Sequence, residues 1–127
     1  MRKALIICIA VFAVATVSCK KKQNCVAVTI DGVIKHHTKI IPYARVFYKK
    51  GSKDSPGNDT TKYDGKVTSD ANAYFKIQNV EMGDYYLFGV GYDTTIKSAV
   101  VGGGPLTVEC VDPTVTKTTT VYVTEGD

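Results

Sequence analysis

Lys66-Val67-Thr68-Ser69-Asp70-Ala71-Asn72-Ala73-Tyr74-Phe75-Lys76-Ile77-Gln78 is the stretch on which the fold turns. Two β-prone runs, 66–70 and 74–78, flank a turn at Ala71-Asn72-Ala73. Phe75 and Ile77 share one face of the second run, as the two-residue period of a half-buried strand requires. Toward the C-terminus, Met82-Gly83-Asp84 turns the chain into a strand from Tyr85 to about Gly91. Thr95 to Val101 reads as the next strand, closed by Gly102-Gly103-Gly104-Pro105 as a mobile hairpin turn. Leu106 to Val111 and Thr118 to Thr124 follow, divided by Asp112-Pro113. Toward the N-terminus, Val26, Val28 and Ile30 alternate with Ala27, Thr29 and Asp31. Ala44, Val46 and Tyr48 alternate with Arg45, Phe47 and Lys49; between the two strands, Lys35 to Lys39 is polar and Pro42 marks the entry to the second. Gly51 to Gly65 is dense in turn formers and almost free of apolar residues, which predicts a long surface loop.

About eight short strands at even spacing, with no helical periodicity after Cys19, predict an all-β domain. The expected architecture is a single Ig-like or prealbumin-like antiparallel β-sandwich of about seven to eight strands over residues 26–127, after an N-terminal signal helix. Gly32-Val33, Ile41-Pro42-Tyr43-Ala44-Arg45-Val46, the 68–77 stretch, Val80, Gly83-Asp84-Tyr85-Tyr86-Leu87 and Gly91-Tyr92 resemble the carboxypeptidase regulatory-like domains. These belong to a transthyretin-like sandwich group, and the likeness covers roughly residues 26 to 101. It implies a non-catalytic spacer, stalk or interaction module. Where that family usually has Gly after Asp-x-x this chain has Ala73, so Asn72 is expected to take the left-handed turn position. The matching residues are turn and core residues, and a fold of this kind does not carry a function with it.

The first nineteen residues carry a separate signal. Arg2 and Lys3 precede an uncharged apolar run of 14 residues, Ala4 to Val17. A spanning helix needs about 20 apolar residues, whereas a secretory h-region needs only about 7–15 after a positive charge. Thr16-Val17-Ser18-Cys19 resembles the lipobox of bacterial lipoproteins, with Thr16 where Leu is usual. The resemblance implies cleavage before Cys19 and acylation of Cys19 by more than one chain, enough to hold the protein to a membrane stably. The alternative is an ordinary secretory signal with a coincidental cysteine. Residues 1–18 are then a signal peptide and 19–25 a tether whose Lys20-Lys21-Lys22 is either a solvated linker or a contact to anionic headgroups, worth about 1 kcal/mol per lysine. The expected address is the cell envelope, an outer membrane first. Surface lipoproteins of the Bacteroidetes often carry acidic residues just after the cysteine, and none stands here before Asp31, so the lipoprotein resemblance implies the periplasmic face slightly ahead of the surface.

The chain has 127 residues and a formal net charge of +4; cleavage leaves 109 residues with 14 basic and 12 acidic groups, the size of one domain. No basic stripe with interleaved aromatics is present, which argues against nucleic acid as a partner. Cys8 leaves with the signal, and Cys25 and Cys110 remain in a compartment where disulfides persist. A bridge between them would close about 85 residues and contribute about 4 kcal/mol; two buried free thiols are the alternative.

No catalytic constellation is visible. There is no Gly-x-Ser-x-Gly elbow, and Gly102-Gly103-Gly104 is followed by neither a Lys nor a helix start that would make a phosphate cradle. His36-His37 is the one histidine pair, and adjacent strand residues point to opposite faces, so no metal site and no cofactor are expected. Asp54, Asn58, Asp59 and Asp64 fail the spacing of a calcium loop. Tyr85 to Tyr92 is unusual because both faces are apolar or aromatic, with Tyr86, Phe88 and Tyr92 on what should be the outer one. Three readings stay open: cover by the chain's own loop, an envelope protein partner, or stacking on a glycan, against which the absence of Trp counts. Asp59-Thr60-Thr61 and Asp93-Thr94-Thr95 resemble the short O-glycosylation motif of Bacteroidetes export, marking Thr60 and Thr94 as candidate sites. The expected function is a binding or structural accessory of the cell envelope, with glycan or peptide capture as the alternative.

Overall fold

In residues 28–36 every second side chain is buried, and that alternation makes the first strand, β1 (Val28–His36), a half-buried sheet member over its whole length. The computed structural model describes residues 28–109 and 116–126. The signal segment, Cys19, Cys25 and Cys110 lie outside these residues, and with them the anchor and the Cys25–Cys110 pairing. Eight further strands follow: β2 (Lys39–Ile40), β3 (Arg45–Lys50), β4 (Gly65–Thr68), β5 (Tyr74–Val80), β6 (Gly83–Asp93), β7 (Ser98–Val108), β8 (Thr116–Tyr122) and β9 (Thr124–Glu125). A short 3-10 turn, Thr60–Lys62, sits in the β3–β4 connection. Two sheets result. One is built on β1, which has β2, β5 and β8 as neighbours; the other runs β4-β3-β6-β7-β9. The architecture is the expected all-β sandwich, with nine strands among the described residues.

The inner faces supply the core. Ile30 and Ile34 from β1, Val46 from β3, Phe75 and Ile77 from β5, Tyr85 and Leu87 from β6 and Val100 from β7 pack between the sheets, with Val121 and Val123 closing one side. Phe75 and Ile77 share the buried face, as their spacing predicts.

Four expectations are corrected. The sheets are not wholly antiparallel: β8 lies parallel to β1 from Thr29↔Thr116 to Lys35↔Tyr122. Residues 35–39 are no polar connection but the end of β1, a tight turn and β2. Gly102-Gly103-Gly104-Pro105 is not a hairpin turn. It lies inside β7, which pairs with β6 without a break from Gly83↔Val108 to Asp93↔Ser98; the turn comes earlier, at 94–97. The glycines are there because neighbouring backbone comes close: a Cβ on Gly102 would stand 2.5 Å from the Tyr122 carbonyl oxygen, and one on Gly103 would collide with the Leu87 carbonyl. Lastly, Ala73 and not Asn72 takes the left-handed conformation (φ 63°). The Asp70 carboxylate accepts the amides of Asn72 and Tyr74 at 2.8 and 3.0 Å, which winds the turn one residue further along. The Ala73 methyl is then fully buried, and its carbonyl accepts the Ile34 amide.

Candidate binding site at the sandwich rim

Two strands from opposite sheets each end their inward-facing row on a polar residue. On β1 the row is Val28, Ile30, Gly32, Ile34, His36; on β6 it is Tyr85, Leu87, Gly89, Gly91, Asp93. Both terminal residues are buried, at 4% and 3% exposure. They meet at one end of the core, where His36 Nδ1 lies 2.8 Å from Asp93 Oδ2. Asp93 is also held by Lys39, whose Nζ donates to Oδ1 at 2.8 Å and touches the Thr95 hydroxyl, and by the Thr95 amide at 2.9 Å. Lys39 first, and His36 second, keep the Asp93 carboxyl well below the usual carboxylate range. An ionised carboxylate can only accept, so the proton between the two residues sits on Nδ1 of His36.

The other ring nitrogen of His36 has a different situation. Nε2 is buried and has no hydrogen-bond partner. It lies 3.2 Å from Oε2 of Glu125, off the alignment a hydrogen bond needs. Glu125 is brought there by β9, which pairs with β7 through Val100↔Glu125; two residues earlier the Val123 amide donates to the Lys35 carbonyl of β1. His37 completes the group. The expectation that the two histidine rings face apart does not hold, because His37 has already left the strand: it occupies the β1–β2 turn with φ 59°. Its ring lies 4.4 Å, centroid to centroid, from that of His36. One ligand atom from each of His36, His37 and Glu125 falls within 4.8 Å of the others.

Beside this cluster opens a cavity of about 250 Å³, lined by Lys39 to Tyr43 and by Tyr92, Asp93 and Thr94. Tyr43 and Tyr92 are its exposed aromatics, at 69% and 53% exposure. Tyr43 is another non-glycine residue held at positive φ (56°). Its amide donates to the Asp70 carbonyl, and the next amide, Ala44, donates to the buried Ser69 hydroxyl. A costly backbone conformation fixed from both sides places this ring at the mouth of the cavity. Beneath it, Gly91 leaves room for Ile41, whose Cγ2 would lie 2.6 Å from a Cβ at that position.

Of the residues singled out on the outer face of β6, the structure separates three fates. Phe88 is 4% exposed, because Tyr63 from the long loop stacks over it at 5.5 Å and Phe47 packs alongside. Tyr86 is half-buried, and Tyr92 belongs to the cavity. The loop therefore covers Phe88, and Tyr92 stays outside that cover. Tyr63 is itself tied down by donating to the Gly57 carbonyl at 2.8 Å. The loop acids are committed locally: Asp59 caps the 3-10 turn by accepting from the Thr61 amide and hydroxyl, and Asp64 accepts from the Lys50 amide at 2.7 Å. The two Asp-Thr-Thr motifs share one geometry, the Asp oxygen accepting the amide two residues on. Thr60 is half-buried in the turn, while Thr94 is exposed at the cavity wall.

No family model matches the chain, and no curated protein matches it. Among solved structures, it is similar to a Pseudomonas aeruginosa protein described as a "putative carbohydrate binding protein", at 13% sequence identity and a TM-score of 0.48, over 79% of this chain and 90% of that one. The fold and the rim site rest on the strands and side chains described above.

Proposed function

We propose that this chain is an exported envelope protein tethered through acylated Cys19, and that its β-sandwich is a non-catalytic binding module holding one saccharide unit between Tyr43 and Tyr92. The carrying observation is the cavity itself: two exposed tyrosines at the mouth, with Lys39, Asp93 and Thr94 among its polar lining. A sugar ring has an apolar face for aromatic contact and hydroxyls at its edge. A small, mostly pre-formed pocket with a few fixed polar groups suits such a ligand. Trp is absent, and tyrosine supplies the same flat surface with a smaller area. The protein-partner reading is weakened at its centre, since Phe88 lies beneath Tyr63.

The test is a titration of the full chain with neutral hexoses and N-acetylhexosamines, followed by NMR, with Tyr43→Ala and Tyr92→Ala alongside. Each substitution is expected to weaken binding by about five- to tenfold, the worth of one aromatic contact of about 1 kcal/mol, while the melting temperature stays unchanged. In the same cells, Cys19→Ala should move the protein out of the membrane fraction. A flat response across the sugars, or equal binding by both tyrosine variants, overturns the saccharide reading.

A further inference from the structure

We infer that His36, His37 and Glu125 form a binding site for a divalent first-row transition ion of the zinc class, a site separate from the saccharide cavity. Two imidazoles and one carboxylate are the donors such ions prefer over calcium or magnesium, which take oxygen. The strongest sign is His36 Nε2. It belongs to a side chain only 4% exposed, has no hydrogen-bond partner, and lies 3.2 Å from Oε2 of Glu125. A buried nitrogen left without a partner costs free energy unless something occupies it. A metal ion would do so once the exposed His37 side chain closes on it.

The second sign is how His36 is held. Its Nδ1 lies 2.8 Å from Oδ2 of Asp93, itself held by Lys39 Nζ and the Thr95 amide, which fixes the ring and leaves Nε2 on the side of Glu125. A carboxylate behind a ligating histidine is the usual outer-shell support of such a metal site. Spacing agrees as well. Zinc bonds of about 2.0–2.2 Å in a tetrahedron put neighbouring donors about 3.4 Å apart, and His36 Nε2 and Glu125 Oε2 are 3.2 Å apart already. His37 must close by about 1–2 Å to match that spacing, within reach of an exposed side chain on a tight turn. Three protein donors leave a fourth position open to water or a ligand. The competing arrangement is a protonated His36 bridging Asp93 and Glu125, with no affinity for metal.

The two readings part in one experiment. Tag-free full chain is stripped with chelator and titrated with zinc chloride by calorimetry, and with cobalt chloride by visible absorption. His37→Ala and Glu125→Gln are the variants, because both side chains are exposed and their loss leaves the core intact. The expected result is one zinc ion per chain, a cobalt spectrum of tetrahedral intensity, and at least about tenfold weaker binding in each variant, with unchanged melting of the metal-free forms. Absence of zinc heat in the wild type overturns the inference. So does zinc binding that both variants retain, which would place the ion elsewhere.

Discussion

One strand, β6, passes through two regions that differ in kind. Near its middle, Phe88 is enclosed by Phe47 and Tyr63, and the Tyr63 hydroxyl is bonded to the Gly57 carbonyl. At its end, five residues on, Asp93 stands among His36, Lys39 and Thr95, next to two exposed tyrosines and a nitrogen with no partner. Backbone strain divides the same way. His37, Tyr43 and Lys97 all hold positive φ in turns at the rim end, whereas the covered aromatic cluster has none. A closed region of this sort contributes stability; an open, strained and unsatisfied one is where binding is accommodated, at a cost the closed region offsets.

That contrast can be broken most directly at Phe88. Truncation to Ala should lower unfolding free energy by about 3–4 kcal/mol, as for other enclosed aromatics, in denaturant melts, and leave zinc and sugar affinity unchanged once folded. Coupled loss of both would mean that the two regions are one. Gly91→Ala sharpens the boundary, because Gly91 lies inward on β6 between them. Its new methyl must push Ile41 away, costing about 1–3 kcal/mol, and sugar binding should fall by more than the stability loss explains, since Ile41 lines the cavity. The smallest effect is expected in alkali. Burial raises the hydroxyl pKa of both Tyr63 and Tyr85 above 10. The folded state therefore keeps protons that the unfolded chain has lost, so stability is full below about pH 10 and declines as pH rises through the folded values. Tyr85→Phe should flatten part of that decline in pH-dependent melts, and an unchanged slope would show that the buried hydroxyl is not its source.

Much of the architecture is legible from alternation. The strand content, the inward pairing of Phe75 with Ile77, and the doubly apolar character of residues 85–92 follow from side-chain period alone. What the period cannot show is how long a strand continues when its residues stop looking like strand. β7 runs through three glycines and a proline because neighbouring backbone fills the place of their side chains, and that is a tertiary fact. The rim site is a finer case. Carrying the even-numbered row from Val28 on through Gly32 and Ile34 places His36 on the core face, and the odd row of residues 85–91 extended by two places Asp93 there too. The signal for two buried polar residues was present in the parity. Their meeting, the turn that folds His37 back, and the arrival of Glu125 from 89 residues away depend on the packing of the two sheets.

The parallel pairing of β8 with β1 joins residues 87 positions apart, Thr29 with Thr116 through Lys35 with Tyr122. Contacts that distant in sequence form late and slow the folding of a chain. Until β8 docks, one edge of β1 stays bare, and Val121 and Val123 are missing from the core. The same final segment then crosses from one sheet to the other and delivers Glu125. Assembly of the rim thus waits on residues 116–125: until they dock, the molecule has neither a closed core nor a complete set of donors, and ligand competence arrives together with folding.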